Sequence, residues 1–82
     1  EDNAMMTLLN INNTDRFFSI VDGCAGPVTV QSSDGRKEDL RHNTLLRDLL
    51  TSSGDGSIAK IDLDCTDAGD ASRMFKYMLE GA

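Results

Sequence analysis

Two stretches of strict alternation bracket a leucine-rich segment, and that arrangement restricts the chain to a few architectures. Val28-Thr29-Val30-Gln31-Ser32 alternates apolar with polar residues. So does Ile58 to Asp64, with Ala59, Ile61, Leu63 and Cys65 on one side and Asp62 and Asp64 on the other. A strand of period two has one buried face and one wet face. A sheet built from such strands needs a cover on its apolar face only. The sequence offers helices for that cover. Leu45, Leu46, Leu49 and Leu50 supply one short apolar side, and Ala68, Ala71, Met74, Phe75, Met78 and Leu79 stripe a longer one. The pattern predicts an α+β chain with antiparallel strands and helices on one face.

The remaining segments complete the order. Met5 to Ile11 reads as a strand, although so short an apolar run is also compatible with helix. Thr14 is the predicted cap of a first helix over about Asp15 to Asp22. Phe17, Ile20, Val21 and Cys24 recur on one helical face, and Gly23 is a stop. Ala25-Gly26-Pro27 breaks the chain before the second strand. Ser33-Asp34-Gly35 is a hairpin turn signal. Arg36 to Arg41 should return as a weak, charged edge strand anchored by Leu40. Asn43 is placed to cap the second helix, Thr51 to Gly56 forms a loop, and Thr66 or Asp67 caps the last helix. The predicted order is βαββαβα, an open-faced sandwich of four strands and three helices.

A chain of 82 residues holds one modest core, so residues 5–82 are read as a single domain. Glu1 to Ala4 are read as a polar leader outside it, disordered or foreign to the native chain, with Met5 or Met6 as the native start. Fourteen acidic residues against eight basic ones leave a net charge of −6, which argues against binding nucleic acid or an anionic membrane. No apolar run approaches the roughly 18 residues of a transmembrane helix. No basic segment precedes an apolar one as in a signal peptide. Cys24 and Cys65 form no CxxC pair and are read as small buried hydrophobes in a reducing cytoplasm, a disulfide between them being the alternative. Asp62, Asp64, Asp67 and Asp70 do not follow the calcium-loop pattern, so strand solvation and helix capping explain them. Gly54-x-Gly56 is a loop rather than a dinucleotide fingerprint. Ser52, Ser53 and Ser57 have no neighbouring histidine to act as a base. No catalytic residue, metal ligand or cofactor is expected.

The layout resembles HPr, the histidine-containing phosphocarrier of the bacterial sugar phosphotransferase system. The resemblance covers roughly residues 17–80. Phe17-Phe18 with Gly23 is similar to the end of that family's first helix. Val28-Thr29-Val30 with Ser33-Asp34-Gly35 resembles its second strand and turn. Leu40 to Leu50 resembles the following strand and short helix. Gly54-Asp55-Gly56 before Ile58 resembles the loop into its last strand, and Thr66 to Glu80 its acidic-capped terminal helix. The resemblance implies a bacterial, cytoplasmic protein that docks other proteins through its first and second helices. Asp15, Arg16, Ser19 and Asp22 would line the first helix, and Leu45, Leu46 and Leu49 the second. Leu46 and Leu49 are equally readable as core. The family's enzyme partners are acidic at the docking surface, so the acidic first helix here should repel them.

The chain departs from that family where its chemistry resides. HPr proteins carry a Gly-x-His-x-Arg-Pro-like motif at the start of the first helix, whose histidine accepts phosphate. The matching loop here is Asn10-Ile11-Asn12-Asn13-Thr14, with no histidine, arginine or proline. Phosphocarrier activity should be absent, leaving a regulatory or interaction module. Thr44 matches the family's regulatory serine and is a candidate phosphoacceptor, although a plain first-turn residue accounts for it as well. His42, the one histidine, is the candidate for a relocated phosphohistidine. An adaptor of the BTB/POZ type is a further alternative, since VTVQSSDG followed by a leucine-rich helix and an Ile-x-Leu strand resembles the start of such domains. A strand and helix packed before Val28 would favour the HPr-like reading. Oligomeric state is left open.

Overall fold

In the computed structural model, which describes residues 4–31, 35–52 and 55–80, the chain alternates short strands and helices around one sheet. The elements are β1 (Ala4–Ile11), α1 (Thr14–Asp22), β2 (Val28–Gln31), β3 (Lys37–Asp39), α2 (Thr44–Leu50), β4 (Ile58–Cys65) and α3 (Ala68–Leu79). The four strands pair in the order β1-β4-β2-β3, antiparallel throughout. The protein is therefore α+β, with a four-stranded antiparallel sheet and three helices. The last strand in sequence is internal to the sheet, and β1 and β3 are its edges.

One core joins sheet and helices. Leu8 and Ile11 from β1, Val28 and Val30 from β2, and Ile58, Ile61, Leu63 and Cys65 from β4 are buried together. Phe17 and Val21 of α1, Leu40 after β3, and Met74 and Tyr77 of α3 complete it. Leu46 and Leu50 bring α2 against the same cluster. Met5, Thr7, Leu9, Lys60 and Asp62 remain exposed on the other face of the sheet. Burial of the inward side chains is the main favourable term, about 1.5–3 kcal/mol for each large one.

Several boundaries and faces differ from the sequence reading, each for a local reason. β1 begins at Ala4, opposite Cys65, within the segment read as a leader; residues 1–3 lie outside the described residues, as do Ser32 to Asp34 of the predicted turn and Ser53 and Gly54 of the loop. Asn13, not Thr14, caps α1, its side chain accepting from the Arg16 amide. Asn43 caps α2 and Asp67 caps α3 in the same way. The returning strand shrinks to Lys37–Asp39.

Strict alternation fails near the end of β1 and the start of β4. Asn10 adopts a left-handed conformation (φ 57°), which asparagine tolerates better than most residues. Leu9 and Asn10 both face outward, and so do Ala59 and Lys60 on the paired strand. Ile11 and Ile58 then return to the core opposite each other, so Ile58 is inward where alternation places Ala59.

Asp64 was expected to be wet but is buried. β2 pairs with β4 only over residues 63–65, so Asp64 is flanked on both sides, by Met5 and by Thr29. Asp62, beyond that ladder, is flanked only by Thr7 and stays exposed, where it accepts a hydrogen bond from the Thr7 hydroxyl.

α3 is rotated from the expected stripe. Asp70, Met74 and Tyr77 form its buried line, Ala71 and Met78 flank it, and Phe75 and Leu79 are exposed. Apolar residues occupy two sides of this helix, and periodicity alone did not separate them.

Candidate functional site

The strongest concentration of polar contacts lies where α1, the turn before α2, and α2 converge. Asp22 ends α1 and Arg47 sits at the middle of α2. Their side chains form an ion pair, and Arg47 also donates to the Leu40 carbonyl. The guanidinium lies over the Phe18 ring, 4.7 Å from its centroid. Arg47 is mostly buried, so three acceptors of different kinds satisfy one cation away from water. The Arg47 hydrogen bond is the main reason the Asp22 carboxyl is held below its ordinary value, with smaller help from the His42 amide and against the effect of burial. Two helices are tied at this point by residues 25 apart in sequence.

His42 closes the turn. Its amide donates to Asp22 Oδ1 at 2.9 Å, and its Nδ1 lies 3.7 Å from the same oxygen. Its backbone is left-handed (φ 54°), a costly conformation for a residue with a side chain. The ring is exposed. Arg41 beside it is committed elsewhere, to Asp39 at 2.9 Å and to the Ala25 carbonyl. Burial opposes ionisation of Asp39, but the Arg41 guanidinium and the Arg41 and Val28 amides prevail and hold that carboxyl low.

The residues expected at a docking face are distributed as follows. Asp15, Ser19 and Arg16 are exposed on α1, but Arg16 is engaged with Glu80 at 2.6 Å and lies over Tyr77. Asp22 is half-buried in the ion pair. Leu45 and Leu49 are 78% and 72% exposed, whereas Leu46 packs against the core. A helix turns about 100° per residue, so Leu45 and Leu49 lie nearly half a turn round from Arg47 and point away from α1. The predicted residues therefore form two patches, an acidic one on α1 and an apolar one on the far flank of α2. Thr44 is exposed in the first turn of α2.

At the start of α1 the Asn13 side chain is used as a cap. Its carboxamide has no nucleophilic nitrogen comparable to an imidazole. The four acidic residues near the C-terminus do separate tasks. Asp62 bonds Thr7, Asp64 lies 3.6 Å from the Lys37 ammonium, Asp67 caps α3, and Asp70 accepts from the Ala25 and Gly26 amides at 2.8 Å each. Among the described residues no three His, Cys, Asp or Glu side chains gather as a metal site would require. Also among them, no helix is long and apolar enough to cross a membrane. Cys24 and Cys65 are buried free thiols. Burial raises both, Cys65 to about 11, which makes them poor nucleophiles.

Sequence reasoning missed Arg47, Phe18 and Asp70. No local spacing links Asp22 to Arg47, and an aspartate inside an apolar helix face looks like a surface residue until its amide partners are known. No protein-family description, curated protein or solved structure matches the chain.

Proposed function

We propose that this chain is a degenerate HPr-like domain that has lost phosphoryl transfer and works by binding another protein in the bacterial cytoplasm. The observation that carries the reading is the α1–α2 unit. The Asp22–Arg47 ion pair fixes one helix against the other while Leu45 and Leu49 stay outside the core. Exposed apolar side chains on one flank of a helix can lie in an apolar groove of a partner. Asp15, exposed on α1, would suit a basic side chain on a partner that also reaches that separate acidic patch, whereas Asp22 is already neutralised by Arg47. Thr44, at the edge of that surface, is the hydroxyl whose phosphorylation would add charge there. Core residues of β1 and α1 precede Val28, which supports the HPr-like reading over a BTB/POZ-like one.

A second reading keeps the carrier function and moves it to His42. Asp22 lies on the Nδ1 side of the ring, which leaves Nε2 as the accessible nitrogen. Against it, the same carboxylate would repel a phosphoryl group, and both nearby arginines are already paired. Incubation with phosphoenolpyruvate and the general phosphotransferase enzyme, followed by intact-mass measurement, separates the two. An unchanged mass is expected. An acid-labile adduct that is absent from His42→Ala would overturn the degenerate reading.

A further inference from the structure

The two edges of the sheet are built differently. β3 is three residues long and carries Lys37, Glu38 and Asp39. Short, charged edges discourage pairing with another strand. β1 is eight residues long, Ala-Met-Met-Thr-Leu-Leu-Asn-Ile, with no charge and no proline. Among the described residues its one ladder partner is β4, so its outer hydrogen-bonding side faces away from the sheet. Nothing in the sequence of β1 protects that side.

Apolar side chains flank the same edge above and below. On the open face of the sheet Met5 and Leu9 are 65% and 59% exposed. On the helical side α3 packs against β1, and Phe75 and Leu79 are 55% and 74% exposed. A cleft of about 200 Å³ lined by Thr7, Leu8, Leu9 and Met78 separates the helix from the strand. These features border one unpaired strand, a surface separate from the α1–α2 unit.

From this we infer that two copies of the chain pair through β1, antiparallel about a two-fold axis, to make a continuous eight-stranded sheet. The strand is self-complementary in this arrangement. With Thr7 opposite Thr7 of the second copy, Met5 faces Leu9 and Met6 faces Leu8, each pair made twice. The first pair closes on the open face, where both side chains are exposed; on the helical face Leu8 is already fully buried within its own chain.

Charge and area favour a second copy as the occupant. Two chains of net charge −6 repel over most of their surface, and β1 is a segment through which they meet without opposing charges. The nearest acidic group beside Thr7 is Asp62 on β4. The two Asp62 side chains would be three strand spacings apart, roughly 14 Å, beyond the Debye length at physiological salt. Met5 and Leu9 of each copy supply exposed apolar surface for a small interface, of the size class of weak, concentration-dependent pairs.

Sedimentation equilibrium of the 82-residue chain from about 1 µM to about 1 mM tests this directly, because weak strand-paired dimers dissociate within that range. The chain is expected to be dimeric at the upper end. Leu9→Lys, at an exposed position that leaves the core untouched, is expected to weaken association at least tenfold by placing an ammonium against Met5 of the second copy. Leu45→Lys, on α2, is expected to leave association unchanged. Concentration-dependent slowing of amide exchange within residues 5–9 should accompany dimerisation. A chain that stays monomeric throughout would overturn the inference, as would a dimer lost in Leu45→Lys and kept in Leu9→Lys. Neither result bears on phosphoryl transfer, which the mass measurement addresses separately.

Discussion

Tyr77 concentrates much of what single residues do in this fold. Its ring is buried between α1 and the sheet, tilted against Phe17 at 6.0 Å, with the Arg16 guanidinium 5.1 Å from its centroid. Its hydroxyl is buried with no hydrogen-bond partner among the described residues. Burial raises the phenol above its ordinary value, and the Arg16 charge offsets part of that. An unpaired buried hydroxyl costs about 1–3 kcal/mol of desolvation. Tyr77→Phe keeps the ring and removes the penalty, so urea unfolding should show a stability unchanged or raised by up to about 1 kcal/mol. The sequence does not reveal this residue's position. The stripe Ala68, Ala71, Met74, Phe75, Met78 and Leu79 holds at Met74, but the buried line also runs through Asp70 and Tyr77 and leaves Phe75 and Leu79 exposed. A tyrosine and an aspartate at core positions are invisible to a hydrophobic pattern.

Between elements, the Asp22–Arg47 pair is the contact that decides how α1 and α2 sit. Arg47 is mostly withdrawn from water and Asp22 half-buried, and Arg47 also serves the Leu40 carbonyl and the Phe18 ring. Removing either partner alone leaves the other charge poorly compensated. A double-mutant cycle with Asp22→Asn and Arg47→Met should give a coupling of about 1–2 kcal/mol, with each single change costing more than a surface ion pair would. Much of the element order was legible, since alternation marks β2 and β4 and caps mark the helices. The caps themselves were readable at Asn43 and Asp67 and off by one at Asn13. Relations between elements were not readable. Asp64 became buried only because β2 reaches that far along β4, and Ile11 became core only because Asn10 turns the chain. The candidate surface is divided for the same reason. Sequence put Asp22 and Leu45 on neighbouring helices, and the helix phase pointed the leucines away.

For the molecule as a whole, the loop after α1 is held to the start of α3 by one carboxylate. Asp70 accepts the Ala25 and Gly26 amides, with Arg73 at 3.4 Å on its outer side. A Cβ at position 26 would lie 3.0 Å from the Thr66 hydroxyl and 3.4 Å from the Asp67 Cβ, so a larger residue there requires those side chains to shift by a few tenths of an ångström. Burial by itself would raise the Asp70 carboxyl, but the Gly26 and Ala25 amides outweigh it and leave the group below its ordinary 3.8. A carboxyl depressed on folding contributes stability that is present above its unfolded value and lost as pH falls through its folded value. Stability should therefore decline as pH drops below 3.8, with Asp22 and Asp39 adding in the same direction. Asp70→Asn should cost about 2–3 kcal/mol at neutral pH, because one amide loses its acceptor. Its acid limb should be shallower than that of the parent in urea titrations between neutral pH and the acid range.

The internal position of β4 has a consequence for how the chain reaches this state. Ala4 pairs with Cys65, and Val28 pairs with the same residue from the other side. Neither β1 nor the inner side of β2 has a ladder partner until residues 58–65 have been made. The β2–β3 hairpin is the one strand pair available earlier, and it carries the weakest strand. The sheet must therefore close by a late, long-range search in which the final strand enters between two waiting ones, a topology that slows folding relative to local pairing. During synthesis, the uncharged N-terminal strand waits longest for its partner and is the segment most open to pairing with the wrong chain.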